Sequence, residues 1–371
     1  MSAPRVHLVY PHGEGISTPD AIGRELGRRL EAGYEVIYHG WTDRDVIEPE
    51  AGDILLGHPH PSGDTVFRRS LERPGWRRKL MLAPYMHGDL RYVAFMDGVL
   101  PLCDLFLAIT GPYWFGTISN SPCSHWRPKM VHLDLAIDRG DYPRVKKSFG
   151  EPGKRRVVYV GHTEPYKNTQ LLSKIAALVP ESEFAWIGGG ATPIRGLTAL
   201  GRVDFGSGAG RDLVAGYDFL LTVGTADANP TTILEAMAWG LIPICTPTSG
   251  YEGIAGIPNV PVDDAAAAAA VIRRLLGADD SDLVAMQASN WRALDDHYNW
   301  DRFAAQVIEA IESTDSPPLL PESMRRRALF AHRSLTSQYG KVGRLESTLG
   351  RVWHHLRTGR AVWRRRRNAR G

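Results

Sequence analysis

Cysteine is scarce in this chain: Cys103, Cys123 and Cys245 are the only three among 371 residues. So few, so far apart, exclude a disulfide framework, and no Cys-x-x-Cys pair points to redox or zinc chemistry. A reducing, cytoplasmic setting is therefore expected. Long apolar runs are missing as well. Nowhere do about 18 uncharged apolar residues follow one another, which excludes a membrane-spanning helix. The opening stretch MSAPRVHLVYPHGEG lacks the charged-then-apolar pattern of a secretory leader, so none is expected. Absent too are the Gly-x-x-x-x-Gly-Lys-Ser/Thr phosphate loop and the Gly-x-Ser-x-Gly nucleophile elbow. Cys123 and His125 stand too isolated for a zinc site. Asp43-Arg44-Asp45 spells an Asp-x-Asp of the kind that binds metals, but it follows a strand pattern and a Trp and reads as the start of a helix.

What is present is an apolar fraction of 43% in a chain longer than one ordinary domain, so two cored domains are expected. The net charge of +3 conceals a division. From Glu322 to Gly371 there are 13 Arg and one Lys against two Glu, a net of +12, which leaves −9 for residues 1–321. An acidic body with a basic tail points to an anionic surface as partner. From Val342 to Trp363 apolar residues recur at helical spacing among the arginines, a pattern that suits either the headgroup boundary of an anionic membrane or packing on the protein itself. The tail carries no nucleic-acid reading module, so no specific nucleic-acid partner is expected.

Along the chain, short apolar runs alternate with helical patterns. RVHLVY, YEVIYHG, DILLG, KLMLAP and LFLAIT read as strands, and TPDAIGRELGRRLEAG reads as a helix. Such alternation implies βαβ units and a parallel sheet. It stops in AIDRGDYPRVKKSFGEPGK, where Pro, Gly and charge predict a linker. It restarts with the strands RVVYVG, EFAWIGGG, FLLTVG and IPICT and the helices NTQLLSKIAALV and DDAAAAAAVIRRLLG, the last capped by Asp263 or Asp264. Two α/β halves in tandem would bind ligands at the carboxyl ends of their strands.

The richest stretch is DANPTTILEAMAWG, Asp227 to Gly240. Pro230 suits a first helical turn and Thr231 or Thr232 can cap it, so a strand runs through a short loop into a helix start, where an anion fits. Asp227 precedes that start and Glu235 lies about one turn inside it. Two carboxylates flanking an anion site repel one another unless each holds something else, and sugar hydroxyls donate to carboxylates. A nucleotide sugar offers a diphosphate, a ribose diol and a hexose diol together.

ILEAMAWGLIPICT closely resembles the second half of the signature of retaining glycosyltransferases of family 4, the group 1 glycosyltransferases, which have the GT-B fold. The first half departs from it, since Asp227 stands for a Glu and Ala-Asn-Pro for Gly-Phe-Gly. VGHTEPYKNTQLL resembles the family's strand, Gly-Arg and distant Lys, with Lys167 aligned on the Lys and His162 where the Arg belongs. FAWIGGG, with Gly188, resembles the next element. YPHGEGISTPDAIGRELGRRLEAGYEVIYHG is similar to the family's first strand, glycine loop with Gly13 and Gly15, helix and second strand. His87 follows a strand where relatives carry a His facing the transferred sugar.

The resemblance implies a GT-B architecture: an acceptor-side Rossmann-like domain over 1–138, a linker over 139–154, a nucleotide-sugar-binding Rossmann-like domain over 155–313 and a basic, helical extension over 314–371. It implies that Lys167 and the helix start at Thr231 and Thr232 stabilise the departing diphosphate, aided by a protonated His162, that Glu235 holds the ribose hydroxyls, and that Asp227 and His87 face the transferred sugar. Gly13, Gly15 and Gly188 would let the backbone approach the donor. Gly13 and Gly15 serve equally as plain turn residues, and His87 equally as a loop histidine. No cofactor and no metal are called for. The expected activity is transfer of a hexose, with retention, from a nucleoside diphosphate sugar to a glycan or lipid-linked acceptor in polysaccharide or glycolipid biosynthesis, at the inner face of the membrane through the 322–371 tail. The alternatives are a sugar-nucleotide epimerase of the same fold and a non-catalytic nucleotide-sugar-binding protein.

Overall fold

The computed structural model describes residues 3–321, apart from 16 and 191. The basic tail and its amphipathic pattern lie outside the described residues. Two compact units are present, one formed by the chain up to Ile109, Gly116–Leu133 and the chain from Phe303, the other by Thr110–Phe115 and Asp134–Arg302.

The first unit is built on six parallel strands in the order β2-β1-β3-β4-β5-β6. They are β1 Arg5–Val9, β2 Glu35–His39, β3 Ile54–Gly57, β4 Arg78–Pro84, β5 Leu105–Ile109 and β6 Met130–Leu133. The central runs ILLG and LFLAI are buried along their whole length, as in a sheet covered on both faces. Helix α1, Thr18–Leu30, begins where Ser17 Oγ accepts the Asp20 N–H at 3.3 Å, and turns Ile22, Leu26 and Leu30 inward. Short helices α2, Val66–Ser70, α3, Leu90–Val93, and α4, Pro112–Thr117, follow. No helix follows Asp43: its carboxylate accepts the Gly40 N–H at 2.7 Å and closes a turn, and the next helix is α2. The helix start expected at Asp43 is therefore corrected, because the local side-chain bond favours a turn.

The second unit holds five parallel strands in the order β11-β10-β7-β8-β9. These are β7 Val157–Val160, β8 Phe184–Ile187, β9 Thr198–Gly201, β10 Phe219–Thr222 and β11 Ile242–Cys245. Helices α5 Thr169–Leu178, α6 Gly208–Ala215, α7 Thr231–Trp239, α8 Ala265–Leu276 and α9 Asp280–Asp296 complete it, and α10, Trp300–Glu312, runs from this unit into the first. Asp264 caps α8, accepting the Ala267 N–H at 2.9 Å. The alanine-rich α8 and α5 cover one face of the sheet with a core that includes Leu172, Ile175, Ala268 and Ile272.

Residues 139–154 run through this second unit. Val145 and Lys146 N–H both donate to the Trp239 carbonyl, at 3.0 and 2.9 Å, and buried Lys146 pairs with buried Asp218 at 2.7 Å. Asp218 also accepts from the Gly150 and Arg156 N–H groups, so one carboxylate fastens the segment to the start of β7. Arg155, fully buried, donates to the carbonyls of Leu275 and Ala278 and so satisfies the end of α8. Residues 303–312 of α10, placed with the second domain on sequence alone, cluster with the first unit, where Arg78 donates to the Ala310 carbonyl at 3.1 Å. Among the described residues no helix is long and apolar enough to cross a membrane.

Candidate functional site

β7 and β10 are adjacent and parallel, so the loops leaving their carboxyl ends are neighbours. After β7 the chain turns through a 3-10 segment, Pro165–Lys167, and Asn168 enters the left-handed region at φ 53° before α5 begins. After β10 the loop 223–230 leads into α7. Thr225 N–H donates to the Tyr166 carbonyl at 2.8 Å and joins these two loops, and Asp227 N–H donates to the Thr248 carbonyl at 3.0 Å and ties the second to the segment after β11. Trp114 Nε1 donates to the Asp227 carbonyl at 2.7 Å. The result is an ion pair between Lys167 Nζ and Asp227 Oδ2, with both side chains mostly buried. Lysine has three N–H donors, so the pair leaves Nζ able to reach an anion as well. Lys167 Nζ also stands 5.2 Å from the centre of the Tyr166 ring.

Helix α7 begins differently from the sequence expectation. Pro230 is the N-cap, at φ −64° and ψ 126°, and no side chain caps the helix. Thr231 and Thr232 are its first two helical residues, so neither is a cap. The proline fixes the extended conformation that an N-cap needs, and its ring cannot itself bond the first turn. Thr231 instead donates to the carboxyl of Glu235 one turn on, and Tyr142 OH lies 3.5 Å from Glu235 Oε1. Burial pushes the Glu235 carboxyl up to about 7 against these two bonds. A carboxyl poised there gains from hydroxyl donors, which favour its charged form. In the loop before α7, Asn229 Oδ1 accepts the Leu135 N–H at 2.5 Å, and Nδ2 is buried with no hydrogen-bond partner.

His162 follows β7. Its Nδ1 accepts the Glu164 N–H at 3.3 Å, which places the ring proton on Nε2, 3.1 Å from the Tyr166 hydroxyl. Burial, then the Lys167 charge, lowers its pKa from the ordinary 6.5, and the nearby Glu164 and Asp227 only partly oppose this. In the unliganded protein these surroundings disfavour the cation expected of His162. Burial is the larger cause, and the cation already present at Lys167 is the second.

Gly188, at the end of β8, has φ 153°, and a Cβ there would stand 2.0 Å from the Gly161 carbonyl oxygen. Only glycine lets the ends of β7 and β8 approach so closely.

Gly13, Gly15 and His87 belong to the first unit. The two glycines follow β1, and Arg24 Nη1 donates to both their carbonyls, at 3.2 and 3.3 Å. Neither has a positive φ. His87 follows β4, with Nδ1 3.1 Å from Tyr85 OH and Nε2 3.4 Å from Thr117 Oγ1, and burial lowers its pKa to about 4. The structure thus gathers Lys167, Asp227, His162, Thr231, Thr232 and Glu235 on the carboxyl side of one sheet, and sets the other three on the corresponding side of the other. Trp114, Tyr142, Tyr166 and Asn229 escaped the sequence reading. Their contributions are long-range contacts, and only the turn chemistry around Tyr166 left a local trace. Among the described residues no group of three or more His, Cys, Asp or Glu is placed to hold a metal ion.

Two parallel-sheet units of this topology, with an acid-and-lysine site at the strand ends of the second, define the GT-B class of fold. Residues 154–278, the part of the chain that builds this site, match the family model described as Glycosyl transferases group 1. None of the curated protein sequences matches the chain. Solved structures share the fold. The chain is 10% identical to an α,α-trehalose-phosphate synthase (UDP-forming) from Burkholderia vietnamiensis, with a TM-score of 0.62 over 85% of this chain and 98% of that one. A sucrose-phosphate synthase from Thermosynechococcus elongatus is 16% identical, with a TM-score of 0.57 over 83% of this chain and 98% of its own. TarM of S. aureus is 10% identical with a TM-score of 0.54 over 72% of this chain, which spans only 56% of TarM.

Proposed function

We propose that this protein is a glycosyltransferase that moves a hexose from a nucleoside diphosphate sugar to an acceptor, with retention of configuration. The single observation that carries this is the Lys167–Asp227 pair set beside the uncapped start of α7, with Glu235 one turn inside, all within the stretch that matches the family model. The similar fold of a UDP-forming synthase supports a nucleotide sugar as donor.

In this proposal the second unit holds the donor and the first the acceptor. Transfer breaks the bond between the anomeric carbon and the β-phosphate oxygen, whose electron pair leaves with the diphosphate. Lys167 Nζ and the N–H groups opening α7 face that developing charge, as preorganised donors that need no rearrangement. Asp227 orients Lys167 and accepts from hydroxyls of the transferred sugar, and Glu235 accepts from the ribose diol. The acceptor oxygen bonds to the anomeric carbon on the face the diphosphate leaves, and its proton passes to the departing phosphate. No step draws on a metal, so turnover should persist in excess EDTA.

A thermal-shift screen over UDP, GDP, dTDP and ADP sugars tests the binding half, because a cognate donor at 100 times its Kd stabilises the folded state by about 2.7 kcal/mol. NMR of the product anomer tests retention. If no sugar nucleotide shifts the melting point, the proposal fails. A shift without turnover favours a binding protein that has lost catalysis, a reading to which the short Asp227 and the disfavoured His162 cation lend specific support. The acceptor is proposed to be a glycan or lipid-linked alcohol, with the 322–371 tail on an anionic membrane. Sedimentation with anionic liposomes, comparing the full chain with one ending at Pro321, decides the latter, since loss of salt-sensitive binding on truncation is the expected result.

A further inference from the structure

The loop that carries Asp227 has no regular structure of its own, since β10 ends at Thr222 and α7 begins at Thr231. A carboxylate on such a loop keeps one direction only if the peptide groups on both sides of its Cα are held. Here both are. The Asp227 N–H donates to the Thr248 carbonyl at 3.0 Å, and the Asp227 carbonyl accepts from Trp114 Nε1 at 2.7 Å. The second bond comes from Thr110–Phe115, a segment that follows β5 in the chain yet belongs to the second unit.

The seat of Trp114 is closely built. Gly111 N–H donates to the Ala228 carbonyl at 2.9 Å, so one short segment holds two successive carbonyls of the Asp227 loop. A Cβ at Gly111 would stand 1.6 Å from the Gly250 carbonyl oxygen, and one at Gly250, where φ is 95°, would stand 2.4 Å from the Ala228 carbonyl oxygen. Glycine at both places lets the three backbones approach. Trp114 itself is 2% exposed. An indole N–H donates and never accepts, so the direction of its bond to Asp227 is fixed. A phenylalanine would fill much of the same space, and what tryptophan adds is the donor.

We propose that Trp114 is a positioning residue that fixes the Asp227 carboxylate against Lys167 and, resting on the reading of the second unit as a sugar-nucleotide site, toward the transferred sugar. It acts through Asp227 and not on the substrate. Reacting groups must be held to within about 0.5 Å, and a misplacement of about 1 Å costs up to about 10²-fold in rate. Loosening one of the two anchors of Asp227 is therefore felt as lost turnover.

The first arm of the test uses the full chain without ligand. With lysine labelled at its side-chain nitrogen, the NMR signal of the Lys167 ammonium, assigned through Lys167→Arg, reports whether the pair with Asp227 is closed. Trp114→Phe deletes the N–H and keeps a ring; should it fail to fold, benzothienylalanine in place of Trp114 keeps the bicyclic shape without the donor. Either change should speed exchange of the Lys167 ammonium protons with water by about tenfold. Trp291→Phe is the control, because Trp291 Nε1 donates to the Met237 carbonyl at 2.8 Å in the same unit. It loses an equivalent bond and should leave the Lys167 signal unchanged. The second arm uses the sugar nucleotide that the thermal-shift screen selects. Trp114→Phe should lower kcat about tenfold and leave affinity for the matching nucleoside diphosphate within about twofold, whereas Trp291→Phe should change neither. Asp227→Ala keeps the carbonyl and lacks the carboxylate. In that background Trp114→Phe should lower the melting temperature as it does in wild type but cost no further rate. An unchanged Lys167 signal on loss of the Trp114 donor, or a full tenfold rate loss in the Asp227→Ala background, overturns the inference. A loosened pair in a protein that binds no sugar nucleotide keeps Trp114 as the anchor of Asp227 and defeats the transferase reading instead.

Discussion

The two units carry the same kind of sheet and end it in opposite ways. In the second, the strand ends collect charge: Lys167 against Asp227, an uncapped helix start, and Glu235 with its carboxyl pushed up to about 7. In the first, the strand ends collect rings. His58 and His60 pack around Trp41, and His87 follows β4, all held neutral by burial. Parallel sheets offer a ligand position at the carboxyl ends of their strands whatever the sequence. The loop residues then decide whether that position suits an anion or an apolar group. A shared architecture therefore predicts where ligands bind and says little of what they are.

The largest expected effect tests the charged end. Lys167→Ala removes a donor aimed at the departing diphosphate and leaves Asp227 without its partner. Single-turnover transfer should fall by about 10² to 10³, the loss typical of one preorganised donor. The double variant Lys167→Ala/Asp227→Asn should lose little more than Lys167→Ala alone, because the two groups act as one unit. A folded Lys167→Ala variant within fivefold of wild type would place the leaving-group chemistry elsewhere.

Next in size is a pair of glycine substitutions, one in each unit. At Gly188 an added Cβ meets the Gly161 carbonyl at 2.0 Å with φ at 153°, so Gly188→Ala should cost about 3 kcal/mol of stability. At Gly15 the nearest atom is Asp20 Oδ2, at 2.6 Å and at the end of a flexible side chain, and φ is not positive. Gly15→Ala should therefore change stability by less than about 0.5 kcal/mol. Denaturant unfolding measures both, and equal losses would mean that the first glycine loop is as tightly constrained as the second.

Glu235 gives a smaller effect with a defined pH signature. Glu235→Gln should weaken the preferred nucleotide sugar roughly tenfold by calorimetry, the loss of one charge-assisted bond. Its carboxyl titrates near 7 in the folded protein against 4.5 for the ordinary group. The folded state thus keeps a proton that the unfolded chain releases, and stability falls as pH rises from about 4.5 through 7, then levels. Glu235→Gln cannot lose that proton. Its advantage over wild type should be absent near pH 4 and grow to the order of 1–3 kcal/mol by pH 8. Parallel melting curves across that range would count against a buried, poised Glu235.

Much of this was legible in the sequence, for identifiable reasons. Both sheets were readable because buried parallel strands such as ILLG and FLLT are unbroken apolar runs bounded by Gly or Pro. The Lys167, Asp227 and Glu235 site was readable because its residues sit at fixed spacing in two short stretches. The aromatic cavity at the strand ends of the first unit was not, since Trp41, His58, Met86 and Met96 come from three separate inter-strand connections that only the sheet order brings together. Two edge strands were missed: β9, whose side chains are largely exposed and leave no apolar pattern, and β6, a four-residue run interrupted by half-buried His132. Residues 139–154 read as a linker from their Pro and Gly content, yet a single long-range pair, Lys146 with Asp218, fastens them inside the second unit.

The smallest expected effect concerns His162, the one imidazole at the charged end, and it asks whether that end resembles the neutral histidines of the first unit. Its ring accepts from the Glu164 N–H, faces the Tyr166 hydroxyl, and stands near Lys167 and Asp227. Burial and the Lys167 charge hold its pKa below 6.5. Folding thus disfavours its protonation, so its stability contribution is complete above about pH 6.5 and is lost as pH falls below that value. In catalysis the same shift means that no cation is withdrawn between pH 6.5 and 8, and His162 should produce no falling limb there. His162→Gln, which keeps an acceptor for the Glu164 N–H, should retain transfer within about fivefold, a ΔΔG‡ of roughly 1 kcal/mol. His162→Arg should raise the rate only if the diphosphate can use a second permanent charge beside Lys167. The check is a pH–rate profile of wild type and His162→Gln with saturating donor. A wild-type limb with its midpoint above pH 6.5 that vanishes in His162→Gln would show that bound diphosphate draws a proton onto this ring, and would restore a cationic role that the unliganded geometry argues against.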